Sequence, residues 1–150
     1  MAEIIQPAPF MRRLGAAFYD VLLLLGIWIG ITFVAVFLNG GEPVASGSRL
    51  FAGTLIGISL IFNAWFWTHG GQTLGMRAWR LQVRKEVDSG PVGWGRASWR
   101  FLIALFGWGC FGLGVLWALA HPQNKTWQDL LSGTETVLLP PPSPDQQLPE

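Results

Sequence analysis

The sequence predicts an all-α integral membrane protein: two transmembrane helices plus a third glycine-rich span or re-entrant hairpin, with a small cytoplasmic β element. Three observations predict it. Only 13% of the 150 residues are charged and 51% are hydrophobic, whereas soluble domains carry about 25% charged residues. Residues 14–38 hold 25 positions with a single charge, Asp20. At ~1.5 Å per residue that is about 37 Å of helix, enough to cross a ~30 Å hydrocarbon core. Two more charge-free stretches follow, at 50–67 and 101–120. The net charge of +1 argues against a nucleic-acid partner, and the length leaves room for one small domain without a separate catalytic one.

Residues 1–9 are expected to form a flexible tail, with Pro7 and Pro9 keeping it out of the first helix. Residues 10–139 then form the membrane domain. Its first apolar segment is far longer than the ~7–15 residues of a signal peptide, so it reads as an uncleaved anchor despite Arg12-Arg13. It stops at Asn39-Gly40-Gly41. The second segment, 50–67, is near the lower limit for crossing, and Trp65, Phe66 and Trp67 crowd its far end as an interfacial aromatic belt would.

The loop 68–100 carries Arg77, Arg80, Arg84, Lys85, Arg96 and Arg100 against Glu86 and Asp88. Within it, QTLGMRAWRL reads as a short amphipathic turn of helix and LQVRKEV as a strand closed by Asp88-Ser89-Gly90-Pro91. Segment 101–120 is interrupted by Gly107, Gly109, Gly112 and Gly114. It either just spans or dips in and returns. A helical turn and a strand over Glu135–Leu139 follow, and residues 140–150 are a disordered proline-rich tail. Pairing of the two strands would put both on one face of the membrane and remove an exposed edge. Eight of the ten bases are Arg12 and Arg13, just after the first tail, or lie in the 68–100 loop, which places that tail and the loop in the cytoplasm. The expected location is a bacterial inner membrane with a cytoplasmic N-terminus.

Three residues stand out. Asp20 lies about 9 Å past Leu14, below the headgroups, where an unpaired carboxylate costs about 2.5–3.5 kcal/mol. It calls for an ion pair or hydrogen bond to another span, or for ion or proton handling. Arg13 either anchors the helix at the interface or reaches inward to Asp20 or Asp129. Thr126-x-x-Asp129 has capping-box spacing, and a pair between Asp129 and Arg13 requires the tail to be cytoplasmic. Asn63, in the second span, either hydrogen-bonds across helices or helps coordinate a cation beside Asp20. Gly26/Gly30 and Gly53/Gly57 have the spacing that lets helices approach, within the chain or between two copies. Thr32 and Thr54 are expected to bond their own helix carbonyls. Cys110 reads as a buried small hydrophobe. The two histidines are isolated, so no metal site and no cofactor are expected, and no nucleophile elbow, phosphate loop or paired cysteines point to an enzyme.

An arginine heading the first helix, an aspartate within it, GQTLGMRAWRLQV, and a late T-x-x-D-L-L-x-G-T segment resemble the RDD family of small membrane proteins. The resemblance covers residues 10–139, and its signature residues fall on Arg13, Asp20 and Asp129. That family commonly has histidine before the late aspartate, where this chain has Gln128. The resemblance implies either transport of a small solute or cation/proton exchange through the Arg/Asp/Asp cluster, or an accessory role that stabilises another membrane complex. In the second case the same residues are a structural clamp. The expected partners are the lipid bilayer and further copies of the chain or a larger membrane complex.

Overall fold

A computed structural model describes residues 6–141; the 140–150 tail expectation therefore falls almost wholly outside the described residues. The chain is mostly helical. In order it runs β1 (Gln6–Pro7), α1 (Phe10–Leu38), α2 (Arg49–Thr68), α3 (Leu74–Ala78), β2 (Leu81–Lys85), α4 (Trp94–Gly109), α5 (Leu113–Ala120), α6 (Trp127–Ser132) and β3 (Thr134–Leu138). Two helices, α1 and α2, are long and apolar enough to cross a membrane, and the pair α4–α5 makes a third candidate bent by 93°.

Pro9 sets the start of α1, where a missing N–H costs nothing. Gly40 and Gly41, both at positive φ, end it. Ser48 caps α2 by accepting from the Phe51 N–H at 3.3 Å. Beyond Asp20, α1 has 18 residues without a charge, Val21 to Leu38, about 27 Å of apolar helix. This places Asp20 at the boundary of the apolar stretch rather than within it. The base of α1 packs on α3 and β2, while α2 packs on α4, and α4 on α5 and α6. None of the most apolar 18-residue window of α1 is buried within the chain.

The sheet has the order β1-β3-β2, antiparallel throughout. β2 and β3 register Leu81 with Leu138 and Lys85 with Thr134. Alternation buries Leu81 and Val83 of β2. Val83 joins Ala64, Trp67, Val92, Ala97 and Phe101 in one cluster, and Leu81 joins Ala8 and Ala16 in another.

Four expectations need correction. The first tail is not flexible throughout, because Gln6–Pro7 pairs with β3 as an edge strand, the position where proline's missing donor is tolerated. The basic loop does not extend to residue 100. Gly93 caps a helix that starts at Trp94 and buries Ala97, Arg100, Phe101 and Gly107 on one side, so seven residues assigned to the loop are helical. Trp67 belongs to the core rather than to an aromatic belt, whereas Trp65 is exposed. Cys110 is only half-buried, at the end of α4. The glycine break is real: a Cβ on Gly107 would lie 3.1 Å from the Gly114 Cα. Only glycines let the two helices fold this tightly on each other.

Candidate functional site

Asp129 is the centre of a buried polar cluster. α6 is a short helix between Thr126, its N-cap, and Gly133, which ends it in the left-handed conformation. The expected capping box is present, with the Thr126 N–H donating to Asp129 Oδ2 at 3.2 Å. Three further donors converge on the same carboxylate. Arg13 Nη1 donates to Oδ2 at 2.5 Å, Arg100 Nη1 to Oδ1 at 2.5 Å and Thr136 Oγ1 to Oδ1 at 3.1 Å. All four acceptor positions of the carboxylate are therefore filled. Both guanidiniums are committed elsewhere too. Arg13 Nε and Nη2 donate to the carbonyls of Ala8 and Thr136, and Arg100 donates to the hydroxyls of Thr134 and Thr136.

Burial pushes the Asp129 carboxyl up. The Arg100 and Arg13 charges outweigh that, and hold it well below the ordinary carboxylate range. Chemically the cluster is a saturated ion triad. It ties α1, α4, α6 and β3 together, and it offers a cation no free lone pair.

Asp20 stands apart, and forms no ion pair among the described residues. Its Oδ2 accepts from Thr73 Oγ1 at 2.5 Å and its Oδ1 from the Gly75 N–H at 2.8 Å. The Thr73 hydroxyl in turn accepts from the Met76 N–H at 3.2 Å. Asp20 thus fastens the first turn of α3 to α1. Gly75 makes this approach feasible, since a Cβ there would lie 2.2 Å from the Ala16 carbonyl and 2.8 Å from Asp20 Oδ1. The GQTLGMR stretch is the complement of Asp20: a hydroxyl, an amide and a residue without a side chain.

The remaining candidates separate. Asn63 Nδ2 donates to the Ser59 carbonyl of its own helix at 2.9 Å, not across helices. The cross-helix bond is Trp28 Nε1 to Ser59 Oγ at 3.1 Å. Thr32 and Thr54 bond their own helix carbonyls. No atom lies within 4 Å of a Cβ built on Gly26, Gly30, Gly53 or Gly57, so these glycines do not join the first two spans. The sequence marks Arg100 only as one base of the loop and Thr73, Gly75 and Thr134 only as members of the two quoted motifs, and it does not mark Thr136. The signal for Arg100 is the set 97, 100, 101, 104, one helical face, which the charge-free stretch beginning at Phe101 cuts in two.

Between α1 on one side and α2 and α4 on the other lies a cleft of about 350 Å³. Its polar end is built from Arg13, Asp20, Arg100, Gln128 and Thr136, and Asn63 and Ser59 line it further along. The rest is apolar, with Leu24, Trp28, Ala104, Leu105 and Trp108.

No curated protein and no solved structure shows a significant match to this chain. The RDD family model matches residues 7–133, from within β1 to the residue before β3. The chain belongs to the RDD family of small membrane proteins.

Proposed function

We propose that this chain is a non-enzymatic membrane protein that binds a small solute in the cleft between α1 and α2–α4, in the manner of a transporter. The Arg13–Asp129–Arg100 triad serves as the clamp at the floor of that cleft. The observation that carries the reading is the cleft itself: a preformed, mostly apolar cavity with most of its polar groups at one end and Ser59 and Asn63 further along. The triad is assigned to structure because its carboxylate has no acceptor left for cargo. The α4–α5 pair is read as re-entrant. Support comes from the three strands sharing one sheet, which a bilayer cannot divide, and from the 93° bend. We assign the sheet face to the cytoplasm, supported by the concentration of bases there, with Arg49 alone at the start of α2. A bacterial inner membrane is the proposed location.

The test is accessibility of the cleft in sealed vesicles. Ala104→Cys, in a Cys110→Ala background, puts one thiol on the cleft wall. A membrane-impermeant maleimide should label it in both right-side-out and inverted vesicles if the cleft opens to each face in turn. Labelling from the sheet face alone would end the transport reading. A second reading, an accessory subunit that pairs with another membrane protein or another copy, is favoured by the unburied apolar length of α1. It gains if labelling is one-sided and α1 cross-links to a partner.

A further inference from the structure

We infer that the corner where the base of α1 meets the end of α3 docks an anionic phospholipid, its phosphate held by Arg12 and Arg80 and its chains lying along the uncovered side of α1. The inference is independent of the cleft. Of the ten bases, Arg13, Arg84, Lys85, Arg100 and Lys125 are ion-paired, and the other five form no ion pair among the described residues. Arg49 opens α2, Arg96 lies in α4, and Arg77 is turned toward Gly70, where a Cβ would lie 4.0 Å from its Nη2. Arg12 and Arg80 come together. Arg12 Nη1 donates to the Trp79 carbonyl at 3.5 Å, so its guanidinium stands on the peptide that leads into Arg80. Both arginines are only half-buried, and so within reach of a ligand. Asp20 is buried, with its two oxygens turned onto Thr73 and Gly75, and the corner keeps its positive charge. Arg80 also has a φ of 56°, a left-handed backbone that glycine or asparagine adopts at lower cost. An arginine at such a position points to a use for its side chain.

The surroundings select a lipid over an acidic protein. The Trp79 ring packs on Gly15 of α1, where a Cβ would lie 2.6 Å from it, and the Tyr19 ring meets it edge-on at 6.4 Å. Tyrosine and tryptophan gather where headgroups give way to hydrocarbon, and Tyr19 immediately precedes Asp20, beyond which α1 carries no charge. Arg12 lies seven positions before Tyr19, about 10 Å of helix, which sets it at headgroup level. Above Tyr19, Leu22, Leu23 and Phe33 lie on the same side of α1 and are exposed. Cations, an aromatic pair and uncovered apolar surface thus follow one another along α1 in the order of a phospholipid's phosphate, glycerol and chains. Guanidinium forks match phosphate oxygens. An acidic protein would answer the charge and leave the apolar surface bare.

The experiment is native mass spectrometry of the full chain in a maltoside detergent. It is titrated with dioleoyl phosphatidylglycerol and with dioleoyl phosphatidylcholine, which share their chains and differ in net charge. Phosphatidylglycerol is expected to bind about 5- to 25-fold more tightly, at about fivefold per cation. Arg12→Gln combined with Arg80→Gln should abolish that preference and leave phosphatidylcholine binding unchanged. Arg77→Gln combined with Arg96→Gln removes the same charge elsewhere and should keep the preference to within about twofold. Equal binding of the two lipids by the unaltered chain would overturn the inference. Equal losses in the two double variants would overturn it in favour of diffuse positive charge without a docking corner. Displacement of phosphatidylglycerol by a glutamate decapeptide would overturn it in favour of an acidic protein. If the Arg12 and Arg80 double variant does not fold, Arg80→Asn decides. Asparagine suits the left-handed backbone, and loss of the one cation should weaken phosphatidylglycerol about fivefold; unchanged binding would overturn the role of Arg80.

Discussion

Two carboxylates, Asp129 and Asp20, are both buried near the base of the helices, and they are held in opposite ways. Asp129 is met by two guanidiniums, a hydroxyl and a backbone amide drawn from four parts of the chain. Asp20 is met by one hydroxyl and one amide, both from a single short stretch. The first is a long-range clamp whose partners carry charge, and the second is a local fastening for one turn of helix. The difference teaches that a signature of one arginine and two aspartates need not be one site. Here it is two devices, and the second cation of the first device, Arg100, is not among the signature residues.

The sharpest way to break this comparison is to remove each carboxylate and compare the losses. Asp129→Ala leaves two buried guanidiniums without a counter-charge and should cost about 3–5 kcal/mol, read as loss of monodisperse protein in detergent and as rapid proteolysis. Asp20→Asn keeps the shape and one acceptor. It should cost about 1–3 kcal/mol, the scale of a hydrogen bond to a charged group, with the protein still folded at a lower melting temperature. Equal losses would mean that Asp20 carries long-range packing which its hydrogen bonds do not reveal. Gly75→Ala probes the Asp20 side without touching charge. Its Cβ meets a backbone carbonyl at 2.2 Å, and overpacking of this kind costs about 1–3 kcal/mol. Combined with Asp20→Asn it should add less than its own cost, because both changes release the same contact.

Acid sharpens the comparison from the other side. Asp129 has a lowered pKa, so folded protein binds its proton less readily than unfolded protein does. The clamp's contribution is complete above the ordinary aspartate value of 3.8 and is lost as pH falls below it toward the folded value. Melting temperature should therefore be indifferent to this group between pH 5 and 8. The fall below pH 4 should be shallower in Asp129→Asn than in the unaltered chain. A transition near neutrality that vanishes in Asp129→Asn would contradict the clamp and restore a proton-handling role.

Much of this architecture was legible because membrane helices and strands announce themselves in composition. Segments 14–38 and 50–67 fall within α1 and α2, and LQVRKEV contains β2. The Thr126–Asp129 spacing marked its capping box, since that contact is local in sequence. What stayed hidden depends on contacts far apart in the chain. Asp129 and Arg13 are separated by 116 positions and Asp20 and Thr73 by 53, and no periodicity encodes which partner a buried charge takes. Arg100 was masked for a different reason. A basic residue beside an apolar segment has the composition of an interfacial anchor, and only the helix start at Trp94 turns it inward. Gln6–Pro7 was masked by proline, which argues against a helix but tolerates an edge strand.

The smallest expected effect concerns the upper helices, where the comparison with the base is most extreme. At the base, a Cβ on Gly75 strikes backbone. At Gly26, Gly30, Gly53 and Gly57 it meets nothing within 4 Å. Replacing Gly26 and Gly30 together by alanine should therefore leave the folded monomer intact. A small gain, of about 0.5–1 kcal/mol per site, follows from the lower backbone entropy of alanine in a helix. Thermal melting in detergent checks the sign. Cross-linking of the same variant in membranes asks a separate question, because the unburied face of α1 is where a second copy or another membrane protein would sit. Unchanged cross-linking would mean that lipid alone covers these glycines. Loss of a cross-linked species from a variant whose monomer is no less stable would mean that the spacing serves association between chains, a role that packing within one chain does not supply.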